Sequence, residues 1–175
     1  TDDVCKLVVL PQTLVELTDA DLDTDGRSYC SLLAHRWRQS DGRDGMEKAP
    51  ATHFVSHAWK YSCKKVLDTL EAWEQKEHSA NSANSANSAN SESASTTRFW
   101  FDNFVLDQHA AARGDYNSEF WFCGFSNAIE SFGHTLAVLM PWTDAIPLTR
   151  SWCVYEIAET ARVNARYEVL LPASE

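Results

Sequence analysis

The feature that most constrains the fold is a continuous apolar run, Thr135–Met140 (T-L-A-V-L-M), that lies between two segments with helical periodicity. A short run without polar alternation is typical of a strand that is buried on both faces. The preceding segment, Glu119–Phe132, is predicted to be a helix, and so is Ser151–Arg166, which follows the run. A buried strand between helices indicates the inside of a parallel sheet, so the chain is predicted to be an α/β protein.

The same alternation extends over most of the remaining sequence. Short β-prone runs occur at Thr52–Ser56, Arg98–Phe104 and Tyr167–Leu171, and Cys63–Gln75 carries apolar residues at helical spacing. Strands that alternate with helices predict βαβ units with right-handed crossovers. The expected architecture is therefore a doubly wound parallel sheet.

The domain organisation is marked by a tract of low complexity. Ser79–Asn90 consists of four copies of Ser-Ala-Asn, and the polar run continues through Thr97. No face of such a tract is apolar, and lengthening a surface loop costs little closure entropy. Residues 78–97 are therefore predicted to be a flexible insertion within an α/β domain at 51–175, and residues 1–50 an N-terminal extension.

The extension carries weaker signals than the domain. A strand is predicted at Val4–Leu10 and a short helix at Ser28–Trp37. Asp21–Gly26 resembles the opening of an EF-hand loop, with acidic residues at positions one, three and five and glycine at position six. Position twelve holds Leu32 instead of the bidentate glutamate, so an acidic turn is favoured over a calcium site.

Charge and cysteine content narrow the classes of partner and compartment. The net charge is −10 and no segment concentrates Lys or Arg, so nucleic acid and anionic membranes are poor partners. The apolar runs are much shorter than the roughly 20 residues of a membrane span, and no secretory signal is visible. The five scattered cysteines include no C-x-x-C pair, which argues against a disulfide framework and a zinc site. A cytoplasmic protein with reduced thiols and no metal is expected.

Ligands of open α/β sheets bind beyond the carboxyl ends of the strands, and three motifs lie there. They are Phe54-Val55-Ser56-His57, Phe99-Trp100-Phe101-Asp102 and Ser151-Trp152-Cys153-Val154-Tyr155-Glu156-Ile157. In this order they resemble the first strand, second strand and third helix of TIR (Toll/interleukin-1 receptor) domains. The third motif is similar to the plant-type S-x-W-C-x-x-E-L signature, with Ser here directly before Trp. The resemblance covers about Thr52–Pro172.

This resemblance implies a flavodoxin-like fold, although the sequence stops before the family's fifth strand and last helix and lacks its Gly-Pro-type turn. It also implies a self-associating domain of innate-immune signal transduction that cleaves NAD, its substrate, at the nicotinamide–ribose bond, with Glu156 as the catalytic residue. The products implied are nicotinamide and either linear or cyclic ADP-ribose. Departure of nicotinamide leaves an oxocarbenium-like centre, which a carboxylate stabilises, and aromatic rings stack on the bases. Lys60 is a further candidate for contacting phosphate or ribose. The substrate-binding residues implied are Ser56, His57, Trp59, Asp102, Trp152 and Cys153.

Structural interpretations of the same residues remain open at this point. Glu156 lies nearly opposite the apolar stripe formed by Val154, Ile157, Ala158 and Ala161, which is the position of an ordinary solvated residue. The other candidates also have ordinary structural roles. Ser56 is a favoured helix cap, His57 a polar strand end, Asp102 a loop cap and Trp152 a packing residue.

Two other function classes are compatible with the sequence. A non-enzymatic TIR-type adaptor would associate with itself or with other TIR-like domains through the loop after the second strand, Val105–Ser118. A cysteine hydrolase would use Cys153 or Cys63 with His57 or His109. The chain contains no G-x-G-x-x-G after a strand and no G-x-x-x-x-G-K, which argues against a Rossmann dehydrogenase and excludes a Walker-type NTPase.

Overall fold

The computed structural model describes residues 28–33, 50–84, 97–173 and 175. Its sheet has four strands, which are β1 (His53–Ser56), β2 (Phe99–Trp100), β3 (His134–Val138) and β4 (Arg166–Leu170). Their order is β2-β1-β3-β4, and every neighbouring pair is parallel. The prediction of an α/β protein with a parallel sheet is therefore confirmed.

Helices connect these strands. They are α1 (Cys63–Asn84), α2 (Asp102–Val105), α3 (Gln108–Arg113), α4 (Ser118–Phe132) and α5 (Ser151–Arg162). Two short 3₁₀ turns, Trp142–Asp144 and Ile146–Thr149, lie between β3 and α5, and residues 29–33 are also helical.

The sheet has a hydrophobic core on each face. On one face, α1 packs Val66 and Leu70 against Leu136 of β3. On the other face, α4 packs Phe125 and Ile129 against Phe54 of β1. All five residues of β3 are buried, as its continuous apolar run predicts. Helices on both faces of a parallel sheet are compatible with a doubly wound fold.

Local signals at both ends of α4 fix where that helix begins and ends. The Asn117 side chain accepts a hydrogen bond from the Phe120 N–H at 2.7 Å, which caps the first turn. At the other end Gly133 adopts φ 65°, a left-handed conformation that glycine reaches without strain. The chain then enters β3 directly. These two caps place the aromatic residues of α4 beside the carboxyl end of the sheet.

Two predicted elements are too long. The strand predicted at Arg98–Phe104 is limited to Phe99–Trp100, because the chain turns into α2 at Asp102. The Asp102 carboxylate accepts a hydrogen bond from the Asn103 N–H at 2.8 Å, a local contact that favours this turn. The last helix ends at Arg162 instead of Arg166, because Asn164 adopts φ 56° and Arg166 already begins β4.

The Ser-Ala-Asn tract also departs from its prediction as a loop. The first helix does not end at Gln75 but continues through Asn84, so Ser79–Asn84 is helical. The Ser79 hydroxyl donates to the Gln75 carbonyl at 2.8 Å, within the same helix. Residues 85–96 lie outside the described residues.

Most of the N-terminal extension lies outside the described residues as well. This applies to the strand predicted at Val4–Leu10, to the acidic turn Asp21–Gly26 and to most of the helix predicted at Ser28–Trp37. Across the ranges that are described, no helix has the length and apolar character needed to cross a membrane.

Candidate functional site

A cavity of about 330 Å³ lies where the connections of the sheet diverge. From β1 the chain passes to α1 on one face, and from β3 it passes to α5 on the other face. Such a switch point is where open α/β sheets form ligand crevices at the carboxyl ends of their strands. The residues that line the cavity are His57, Trp59, Asp102, Trp121, Phe125, Arg150, Trp152, Cys153 and Glu156.

Glu156 is the buried carboxyl group of this cavity. Its residue is 7% exposed, and the Ser56 hydroxyl donates a hydrogen bond to its Oε2. Ser56 ends β1 and therefore bonds across to α5 instead of capping α1, which begins at Cys63. The first strand and the last helix are thus joined at the candidate catalytic carboxyl.

The buried face of α5 is the reverse of the face that its apolar residues predict. Cys153, Glu156, Glu159 and Thr160 are buried, whereas Val154 is 46% exposed. The ordinary interpretation of Glu156 as a solvated residue is therefore wrong. Polar partners explain the orientation, because Thr160 pairs with Thr135 of β3 at 2.9 Å and the Ser126 hydroxyl donates to Glu159.

The environment of Glu156 favours its protonated form. Burial raises the pKa of Glu156 to about 8, and the charge of Asp102 acts in the same direction. The hydrogen bond from Ser56 and the charge of Arg150 oppose this rise without cancelling it. The carboxyl group therefore carries a proton in most molecules at neutral pH, and a cation next to it would favour release of that proton.

Asp102 fixes the position of Trp59 at the cavity. The Trp59 Nε1–H donates to Asp102 Oδ2 at 2.7 Å, and the other carboxylate oxygen accepts from the Asn103 N–H. Asp102 is the first residue of α2, whose N-cap is Phe101, and its carboxylate holds an indole of the cavity wall.

His57 is buried beside the same carboxylate without a hydrogen bond at Nε2. Its imidazole lies 4.3 Å from the Phe101 ring, between centroids, and Nε2 is 3.9 Å from Asp102 Oδ1. Nε2 and both side-chain amide atoms of Asn103 have no hydrogen-bond partner among the described residues. Burial lowers the pKa of His57, so its imidazole is neutral at physiological pH.

Cys153 is not arranged as a nucleophile. Its Sγ lies 3.5 Å from the His57 carbonyl oxygen, to which it donates, and makes no hydrogen bond to the imidazole. Burial raises the pKa of Cys153 to about 12, so the thiolate that a cysteine hydrolase requires is not formed at neutral pH. Burial also raises the pKa of Cys63.

Trp152 both lines the cavity and packs against α4. It is 38% exposed and lines the cavity, one helical turn before Glu156. Its ring also packs on α4, with centroid distances of 5.4 Å to Phe122 and 5.8 Å to Phe125. Trp121 lies 6.1 Å away in the same cluster, so one side of the cavity is aromatic.

The structure thus brings all seven predicted site residues to one place, while three other cavity residues were missed. Trp121 and Phe125 are four residues apart on a predicted helix, a spacing that puts them on one face. Arg150 directly precedes the Ser151–Ile157 motif, and this position in the sequence could have identified it as a cavity residue. The positively charged side chain at the cavity is Arg150, since Lys60 is exposed and does not line it.

The segment predicted as an association loop, Val105–Ser118, is partly helical. It contains α3, which is capped by the Asp107 side chain and ends at Gly114 in a left-handed conformation. No group of His, Cys, Asp and Glu side chains suited to hold a metal ion occurs among the residues that the structure describes.

Comparisons with known proteins found no relative whose site could be compared with this cavity. No family model, no curated protein and no solved structure matches the chain.

Proposed function

We propose that the cavity binds NAD and hydrolyses the bond between nicotinamide and ribose. The observation that carries this proposal is the buried Glu156 carboxyl, held by Ser56 of β1 within a cavity that has an aromatic side. The resemblance of three motifs to TIR domains supports the same reaction and assigns its catalytic carboxylate to Glu156.

The chemistry needs one carboxylate and no general acid. Nicotinamide leaves from a pyridinium that already carries a positive charge, so its departure requires no protonation. Positive charge then develops on the ribose, and an adjacent carboxylate stabilises it in a site of low dielectric constant. Because the nicotinamide ring carries a positive charge, its approach favours the ionised form of Glu156. Water then adds to the anomeric carbon and gives up a proton to the Glu156 carboxylate, which yields ADP-ribose.

The aromatic side chains would bind and orient the two bases. Trp152 and Trp121 lie next to each other on one side of the cavity, and Trp59 is held by its bond to Asp102. Flat aromatic rings stack favourably on indoles, and a pyridinium gains a further cation–π contribution. The Asp102 carboxylate would accept hydrogen bonds from ribose hydroxyls, and the neutral His57 imidazole would contact a ribose hydroxyl or a phosphate oxygen.

The decisive experiment compares nicotinamide release from NAD by the wild type, Glu156→Ala and Glu71→Ala. Glu71 is exposed on α1, outside the cavity, so its variant controls for loss of a surface carboxylate. We expect release to fall by about 100-fold or more in Glu156→Ala, the usual scale for a group that stabilises developing charge, and to be unchanged in Glu71→Ala.

The pH profile provides a second readout of the same assignment. The wild-type kcat/KM for NAD should rise with pH and level off above about 8, following ionisation of Glu156 in the free enzyme. Equal release by the wild type and Glu156→Ala, with both folded by circular dichroism, would remove Glu156 from the mechanism. Release that is absent from all three proteins at high concentration would count against the enzyme.

A non-catalytic adaptor is the second candidate, and the surface beside the cavity supports the self-association that an adaptor requires. Phe120 and Phe122 of α4 are both exposed, and Phe120 stacks on Tyr116 with a centroid distance of 4.1 Å. Tyr116 belongs to the Val105–Ser118 segment, the predicted association region. Exposed apolar side chains of this kind occur at interaction sites. Self-association through Tyr116, Phe120 and Phe122 is compatible with catalysis or with an adaptor role alone.

A further inference from the structure

We propose that the first turn of α5, with Arg150 and His57, is a phosphate-binding subsite that holds the diphosphate of a dinucleotide. The identity of that dinucleotide as NAD rests on the proposed function, whereas the preference for a phosphate group does not. The subsite lies in the same cavity as Glu156 but is formed by different atoms.

The first turn of α5 presents free backbone donors to the cavity. Its N-cap residue is Arg150, and no side chain caps this end of the helix. The first hydrogen bond of the helix runs from the Val154 N–H to the Arg150 carbonyl at 3.0 Å. The three preceding N–H groups, those of Ser151, Trp152 and Cys153, have no side-chain cap. Arg150, Trp152 and Cys153 all line the cavity, so this end of α5 opens into it. Such donors, together with the helix dipole, attract phosphate oxygens.

The guanidinium of Arg150 differs from those of the other described arginines. Arg98 donates to a backbone carbonyl, and Arg113, Arg162 and Arg166 each donate to a carboxylate. The Arg150 guanidinium makes no hydrogen bond or ion pair within the described ranges. A guanidinium that lines a cavity without an acceptor suits a bidentate contact to phosphate.

His57 provides an independent sign of a ligand at this end of the cavity. Its side chain is 2% exposed, it lines the cavity, and Nε2 has no hydrogen-bond partner among the described residues. Its carbonyl accepts from the Cys153 thiol, so His57 lies against the first turn of α5. Buried polar atoms normally have a partner, and a phosphate oxygen would supply one to the Nε2–H tautomer.

The charges around the subsite are compatible with an anion. The two carboxyl groups of the cavity are Asp102 and Glu156. Asp102 is neutralised in part by the N–H donors of Trp59 and Asn103, and burial keeps Glu156 mostly protonated at neutral pH. Arg150 and the helix dipole therefore dominate the potential at the first turn of α5.

The spacing along α5 suits a nucleotide that reaches from this subsite to Glu156. Glu156 follows Arg150 by six positions, which is a rise of about 9 Å at 1.5 Å per residue. A ribose 5′-phosphate spans this rise when two contact distances are added to its own length. One is the contact of its phosphate with the first turn of α5, and the other is the contact of its anomeric carbon with Glu156. A diphosphate at the first turn would thus leave one anomeric carbon beside the carboxyl group.

Calorimetric titration with ADP-ribose and with inorganic pyrophosphate tests the subsite without requiring turnover. The proteins are the wild type, Arg150→Gln, Arg150→Lys and Lys64→Gln, the last removing an exposed charge on α1. We expect the affinity for ADP-ribose to fall at least 10-fold in Arg150→Gln and less in Arg150→Lys. Lys64→Gln should bind as the wild type does, with all four proteins folded by circular dichroism.

A second measurement separates this proposal from the proposed function. Nicotinamide riboside contains the scissile bond but no phosphate. At about pH 9, where Glu156 is mostly ionised, Arg150→Gln should therefore slow cleavage of NAD at least 10-fold more than cleavage of the riboside. Loss of ADP-ribose binding in Arg150→Gln without any wild-type NAD cleavage would support the subsite and contradict the hydrolase. Wild-type affinity for ADP-ribose in Arg150→Gln, or no binding by the wild type at millimolar ligand, would overturn the subsite even if NAD is cleaved.

Discussion

At the scale of single residues, the proton on Glu156 connects the candidate chemistry to the stability of the fold. A carboxyl group with a pKa of about 8 in the folded chain has a pKa near 4.5 when the chain unfolds. Between these values the folded state binds more protons than the unfolded state. The contribution of Glu156 to stability is therefore fully present below pH 4.5 and is lost as the pH rises through 8.

Replacement of Glu156 by Gln should remove this dependence, because the amide keeps the size of the protonated carboxyl without titrating. We expect Glu156→Gln to be more stable than the wild type at pH 9, by a few kcal/mol, with a much smaller difference at pH 5. Urea unfolding at both pH values measures this. The stability of the exposed control Glu71→Gln should match that of the wild type at both pH values. If the stability of Glu156→Gln changed with pH as much as that of the wild type, Glu156 would not be buried and protonated.

The location of the site could be predicted from the sequence, but its electrostatics could not. Ser56, Asp102 and Glu156 follow or face the carboxyl ends of parallel strands, and these ends meet at one edge of any such sheet. The burial of Glu156 was not predictable from helical periodicity, because Val154 and its apolar neighbours pointed to the opposite face. Contacts distant in sequence, above all the hydrogen bond from Ser56, decide how α5 is rotated.

At the scale of elements, the position of α4 depends on its capped N-terminus. Asn117 supplies the acceptor for the Phe120 N–H, and Phe120 and Trp121 follow directly in the first turn. On the adjacent helix, Glu159 of α5 accepts hydrogen bonds from Ser126 of α4 and from Arg162. The aromatic side of the cavity is therefore held at one end by a cap and in the middle by a polar contact between α4 and α5.

Removal of the cap gives a prediction for this element. Asn117→Ala should lower the free energy of unfolding by about 1 kcal/mol, which corresponds to a fall of about 2–4 °C in Tm. Asn117→Asp keeps an acceptor at the cap and adds a charge that the helix N-terminus favours, so it should retain or exceed wild-type stability. Thermal unfolding of the three proteins measures the effect, and an unchanged Tm in Asn117→Ala would show that the cap does not stabilise the fold.

Element types were predictable where the pattern was long, and boundaries failed where a local contact intervened. The apolar run of β3 and the periodicity of α4 each identified their element. The aromatic run after Arg98 favoured a strand, but the Asp102 side chain bonds to the next N–H and begins α2. The Ser-Ala-Asn copies lack a hydrophobic face, yet they contain no Gly or Pro to stop α1, which therefore continues into them.

At the scale of the whole molecule, net charge and exposed apolar surface act in opposite directions on self-association. The charge of −10 repels identical copies, whereas the surface of Tyr116, Phe120 and Phe122 favours contact. Salt screens the charge repulsion but not the apolar contact. The Debye length falls from about 10 Å at 0.1 M ionic strength to about 3 Å at 1 M.

Sedimentation velocity at low and high salt tests this balance with matched variants. Phe122 on α4 and Leu67 on α1 are each 47% exposed, but they lie on opposite faces of the sheet. We expect the wild type and Leu67→Ser to associate more strongly as salt is raised, and Phe122→Ser to associate less than either. Association that weakens with salt, or that is lost equally in both variants, would exclude this surface as the contact.

The tryptophan side chains around the cavity allow ligand binding to be followed by intrinsic fluorescence. Trp59, Trp121 and Trp152 border one space of about 330 Å³. Indole emission responds to the polarity around the ring and is quenched by contact with an electron-poor pyridinium. Entry of a nicotinamide ring should therefore dim the intrinsic fluorescence, whereas a phosphate ion alone at the first turn of α5 would leave most of it in place. Intrinsic fluorescence would thus distinguish a nicotinamide ring in the cavity from a phosphate ion at the first turn of α5. The measurement needs no label and no turnover of the substrate.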